Sequence, residues 1–216
     1  MTHKKPTHYL LASILCACVM FWALVIAAVA NADKGDFSWH VAGYVVGKVA
    51  SGAGYTPGVG GMLELYGRWK FLELKLNGAA YNMRKKAAEN GYTYGYTAEI
   101  RGFFYGPFYG LVATSLGGYH SEFANGAVWE KRGRNQGIGL GYSTEETGTD
   151  VNLSYYFQEN TSPNRVQYTT LAFRQRIYKL LYGMVNITRQ TYDQMTATGI
   201  ERWDGVSISW GLGIRW

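Results

Sequence analysis

Eleven residues at the end of the chain constrain the fold most. Val206, Ile208, Trp210, Leu212, Ile214 and Trp216 alternate without a break with Ser207, Ser209, Gly211, Gly213 and Arg215. Successive side chains of an extended strand point to opposite faces, so one face here is wholly apolar and the other small or polar. On a helix the same residues would spread around the whole circumference. The pattern recurs upstream. Val151, Leu153, Tyr155 and Phe157 alternate with Asn152, Ser154, Tyr156 and Gln158. Leu72, Leu74 and Leu76 alternate with Glu73, Lys75 and Asn77. Leu63, Leu65 and Trp69 do so with Glu64, Tyr66 and Arg68, with Gly67 on the apolar side.

A soluble sandwich would alternate too, but its strands run to about 5–6 residues. The strands here are roughly 10–13 residues, the length a tilted membrane-spanning strand needs. Ten are expected, at 38–50, 59–69, 71–82, 92–104, 108–122, 135–143, 150–159, 167–177, 180–192 and 205–216. Eight or twelve are the alternatives, because the turn after the sixth is irregular. Short turns fall around Lys70, Tyr105-Gly106-Pro107, Ser143 to Thr149 and Tyr178-Lys179. Longer polar segments, 51–58, 83–91, 123–134, 160–166 and 193–204, fall between them. Aromatics gather at the short-turn end: Trp39, Trp69, Phe71, Phe104, Phe108, Tyr142, Tyr178 and Trp216. The expected fold class is therefore all-β, an antiparallel up-and-down transmembrane β-barrel with an interfacial aromatic girdle.

Residues 1–32 read as a cleaved secretory signal peptide. Lys4 and Lys5 precede an apolar run from Leu10 to Val29, and Ala30-Asn31-Ala32 places small residues before Asp33. An uncleaved anchor and a lipobox at Leu15-Cys16-Ala17-Cys18 are the competing readings. Cleavage after Ala32 leaves 184 of the 216 residues, 33–216, as one barrel domain. Both cysteines leave with the signal, so no disulfide holds the mature chain. Its net charge is +4.

A cleavable signal, period-two strands to the last residue and the terminal aromatic of Gly211-Leu212-Gly213-Ile214-Arg215-Trp216 resemble Gram-negative outer-membrane β-barrel proteins of the small barrel class. No specific family is identified. The resemblance implies export through the periplasm to the bacterial outer membrane. It implies short turns inside, long loops outside, and a final strand read by the barrel-assembly machinery. Trp216 would be that assembly signal, although phenylalanine is commoner there.

Chemistry is sparse. Gly137-Ile138-Gly139-Leu140-Gly141 has its glycines at period two on one face. A phosphate-binding loop needs unequal spacing between a strand and a helix. Lumenal glycines that make room for large neighbours fit better. His120, Ser121 and Glu122 are the one cluster that suggests hydrolysis of lipid A or phospholipid. Adjacent strand residues point apart, so His120 and Ser121 are not expected to meet. His40 is expected in the lumen. No cofactor and no metal site are expected, because the mature chain holds no cysteine and its two histidines are far apart. Nucleic acid is not an expected partner.

The polar faces of the strands place Lys48, Glu64, Arg68, Glu73, Lys75, Glu99, Arg101, Arg174, Arg176 and Arg215 in the lumen. A small barrel is filled by side chains and becomes a wide channel only near sixteen strands. A lumen largely filled by ion-paired side chains, in a barrel with a structural or interaction role at the cell surface, is the expected function. A narrow pore for small anions is the alternative, from the excess of cations. A barrel-wall lipid enzyme is the third. The segments 83–91 and 123–134 carry Arg84, Lys85, Lys86, Lys131, Arg132 and Arg134, expected in external loops beside lipopolysaccharide phosphates.

Overall fold

The computed structural model describes residues 37–51, 55–158, 166–196 and 199–216. The expected signal segment and its cleavage site lie outside the described residues. Ten antiparallel strands close into one barrel: β1 (Phe37–Ala50), β2 (Gly58–Trp69), β3 (Leu72–Tyr81), β4 (Asn90–Tyr105), β5 (Phe108–Glu122), β6 (Val128–Thr144), β7 (Thr149–Phe157), β8 (Val166–Tyr178), β9 (Leu181–Thr196) and β10 (Gly199–Arg215). Each strand pairs with its chain neighbour, and β1 with β10 closes the ring. At that seam Val41 N–H donates to the Trp216 carbonyl at 2.8 Å and Trp216 N–H to the Val41 carbonyl at 2.9 Å. Closure leaves no sheet edge, so every wall strand has a ladder on both sides.

The turns explain how the strands reverse. Trp69 pairs with Leu72, and Tyr178 with Leu181, so only two residues make each of these turns. Lys70 (φ 50°) and Lys179 (φ 40°) take the left-handed conformation there, as Gly106 (φ 53°) does between β4 and β5. A lysine in that region costs about 1–2 kcal/mol. Each lysine ammonium lies over the aromatic ring before it, Trp69 at 5.5 Å and Tyr178 at 5.3 Å.

Parity separates two walls. Outside stand Val45, Leu63, Leu74, Ile100, Val112, Leu140, Leu153, Leu171, Ile187 and Leu212, all exposed. Trp69, Phe71, Phe104, Phe108, Tyr178 and Trp216 are exposed at the end that carries the two-residue turns. Inside lie Glu64, Lys75, Glu99, Arg101, Asn152 and Arg174, all buried. A wall this apolar all round is solvated by acyl chains, so the strands span a membrane.

At the other end the structure departs from expectation twice. Segment 123–134 is not a long loop. β6 starts at Val128, and Lys131, Arg132 and Arg134 pair with Tyr119, Gly118 and Leu116 of β5. Likewise β9 runs to Thr196 and β10 starts at Gly199, so most of 193–204 is hairpin. The ladder thus continues through residues whose sequence shows no hydrophobic alternation.

The β3–β4 connection folds back over the barrel mouth. Met83 and Ala88 are buried. Lys85 N–H donates to Ser121 Oγ at 3.2 Å, Thr93 Oγ1 to the Met83 carbonyl at 3.3 Å, and Thr56 N–H to the Arg84 carbonyl at 2.8 Å. Tyr55 packs on Tyr119 with ring centroids 5.3 Å apart, and burial pushes its hydroxyl well above the usual phenol pKa. Arg84 and Lys85 are consequently half-buried, and Lys86 is exposed.

Candidate functional site

The site is the lumen of the half nearest the two-residue turns. It is built from the polar faces of six strands. Arg174 on β8 reaches Glu64 on β2 with two bonds, Nε to Oε2 at 3.0 Å and Nη2 to Oε1 at 2.5 Å. The two strands are not neighbours in the ring, so this pair crosses the lumen. Glu64 also accepts from Tyr66 Oη at 2.5 Å and lies 3.3 Å from Lys75 Nζ. Lys75 on β3 stands 3.9 Å from Asp150 on β7.

A second centre forms around Arg101 on β4. Its guanidinium donates to Glu99 at 2.8 and 3.0 Å, to Glu73 at 3.0 Å and to Asp150 at 3.2 Å. Asp150 accepts from Tyr109 Oη at 2.8 Å. Lys75 and Asp150 join the two centres, so seven charged side chains form one network. Arg101 and Lys75 are 0% exposed and Glu64 is 1% exposed. Charges this dry are tolerated only when each carries several close partners.

All ten lumenal residues expected from the sequence face inward, and the network brings together six: Glu64, Glu73, Lys75, Glu99, Arg101 and Arg174. The other four are cations held differently. Arg68 lies over the Phe103 ring at 4.0 Å and 4.0 Å from Glu145. Arg215 stands over Tyr66 at 4.9 Å and Tyr182 at 5.6 Å. Arg176 donates to the Glu146 carbonyl. Lys48 lies over Tyr81 at 5.1 Å. The lumen thus disposes of surplus cations on ring faces, turn carbonyls and turn carboxylates. A cleft of about 700 Å³ opens at this end, lined by Ser38, Arg68, Tyr142, Glu145 and Glu146 among others.

Asp150 was not among the expected lumenal acids. Its parity with Asn152 and Ser154 was the available signal, obscured by its place at the end of the irregular turn. With it, four acidic residues face seven basic ones.

The lumen towards the loop end is different in kind. Ser115 and Tyr168 share a 2.5 Å hydrogen bond, Thr170 and Thr188 one of 3.0 Å, and Asn186 donates to Ser209 at 3.3 Å. Tyr156 stacks on Tyr168 with centroids 4.5 Å apart. The period-two glycines serve this packing: a Cβ on Gly137 would fall 2.6 Å from the Tyr156 ring.

His120 and Ser121 do face opposite sides. Ser121 is tied inside to Lys85 N–H, whereas His120 stacks on Tyr92 at 5.0 Å and meets Glu122 at 3.0 Å on the outer wall. They do not form a nucleophile–base pair. Among the described residues no group of three or more metal-ligating side chains converges.

No protein-family model matches the chain, and no characterised protein sequence matches it. Solved structures that share the fold include three barrels. Neisserial surface protein A is 12% identical over 82% of this chain and 97% of its own, with a TM-score of 0.37. The N-terminal β-barrel domain of Pseudomonas aeruginosa OprF is 13% identical over 82% and 97%, at 0.39. The translocator domain of the autotransporter NalP from Neisseria meningitidis is 14% identical over 95% and 98%, at 0.38. What makes this chain a barrel of the outer-membrane type is its own closure, even strand count, apolar belt and aromatic girdle.

Proposed function

We propose that the protein is an integral outer-membrane barrel of Gram-negative bacteria with a structural or interaction role at the cell surface, its lumen closed by ion-paired side chains. One observation carries this reading: Glu64 and Arg174 join across the lumen from strands that are not neighbours. A solute passing through must break that pair and the Lys75–Asp150 and Arg101–Asp150 contacts beside it. Breaking a buried pair costs about 3–5 kcal/mol.

In this setting the two-residue turns face the periplasm, Trp216 marks the final strand for the assembly machinery, and Arg84, Lys85, Lys86, Lys131, Arg132 and Arg134 lie on the lipopolysaccharide side. A narrow anion pathway is the second reading, favoured by the seven lumenal cations against four acids. Planar-bilayer recording separates the two. The closed reading expects no channel events from wild-type protein. Regular steps with an anion-selective reversal potential, weakened when Arg174 and Arg176 are both changed to Glu, would establish the pore instead.

A further inference from the structure

Above the apolar belt, β4, β5 and β6 carry a patch that the lumen does not use. The register sets Tyr92, His120 and Glu130 in one outer row, Tyr94, Gly118 and Arg132 in the next, and Tyr96, Leu116 and Arg134 in the third. Two rows further down, Ile100, Val112 and Ile138 are exposed to acyl chains. The patch therefore stands at the boundary between belt and water.

Its parts are held in place. His120 stacks on Tyr92 and is fixed by Glu122 at 3.0 Å. Gly118 leaves room for Tyr94, whose ring would lie 2.6 Å from any Cβ there. Arg132 is already balanced by Glu130 at 2.6 Å. Arg134 is exposed on the lipid-facing wall and has no carboxylate partner among the described residues. A guanidinium at the edge of a bilayer gains most from an anion at the same depth, and the anion found there is a lipid phosphate.

We propose that Arg134, with Arg132 and the Tyr94 hydroxyl, forms a binding site for the phosphate of an anionic lipid in the outward-facing leaflet. The inference rests on the outer-membrane reading and names its lipid-contact site. Arg134 supplies the uncompensated charge, the Tyr94 hydroxyl, which lies over Gly118, donates a hydrogen bond, and Leu116 with the row of Ile100, Val112 and Ile138 meets the acyl chains.

The test is native mass spectrometry of the folded protein in detergent, titrated with a phosphorylated acyl glycolipid, its dephosphorylated counterpart and inorganic phosphate. The phosphorylated lipid should be retained, and Arg134→Gln should weaken it by about tenfold, the loss of one charge-assisted contact. Arg132→Gln should weaken it less, because Glu130 already shares that charge. Equal retention by Arg134→Gln, equal retention of the dephosphorylated lipid, or competition by inorganic phosphate at equal concentration would overturn the proposal. A heat-modifiable band on SDS gels shows that each protein is folded. If Arg134→Gln lacks it, Tyr94→Phe replaces that variant, with several-fold weaker retention expected and unchanged retention overturning the site. A wild-type protein without a heat-modifiable band would instead contradict the barrel reading itself.

Discussion

The two halves of the lumen are filled by different physics. Near the two-residue turns, charged groups are joined in one dry network, so a deletion costs most where it removes an ion's only carboxylate, as Glu64 is for Arg174. Towards the loops, hydroxyls, amides and stacked tyrosines meet in pairs, and a deletion leaves a neutral group rather than an ion. Equal burial therefore does not mean equal stakes. A buried pair is costly to break even where it adds little net stability, whereas a neutral hydrogen bond is cheap in both senses.

The contrast can be broken in a definite order. Glu64→Gln should have the largest effect, about 3–5 kcal/mol in a urea unfolding titration, because it strands Arg174 and takes from Lys75 the nearer of its two carboxylates. Leu153→Arg, which puts a cation on the exposed lipid wall, should cost about 2–4 kcal/mol if it lies near the midplane. Glu99→Gln should cost less than Glu64→Gln, about 1–3 kcal/mol, because Arg101 keeps Glu73 and Asp150. In the neutral half, Ser115→Ala should cost about 0.5–1.5 kcal/mol. If Ser115→Ala rivals Glu64→Gln in the same titration, the two halves do not differ as described.

Much of this was legible in the sequence because period two reports a face at each residue. The inward placement of Glu64, Lys75, Arg101 and Arg174 follows from alternation alone, whereas the count of ten, which left eight and twelve open, is fixed by the closed ring. Alternation reports no partner across the lumen. That Glu64 meets Arg174 depends on ring closure, which sets β2 nearly opposite β8. Val128 to Arg134 was hidden for another reason. Glu130, Arg132 and Arg134 stand on the outer face above the belt, where charge replaces the apolar residues, so they carry no hydrophobic period although they pair as a strand. The buried Met83 and Ala88 were masked by the basic residues between them, Arg84, Lys85 and Lys86.

The proposed closed lumen requires Glu64 and Arg174 to act as one unit. A double-mutant cycle of Glu64→Gln and Arg174→Gln, read by unfolding in lipid vesicles, tests it most directly. Coupling of about 2–3 kcal/mol, the upper range for residues in one salt-bridge network, is the predicted result. Additive losses, with coupling within about 0.5 kcal/mol of zero, would contradict a trans-lumen lock.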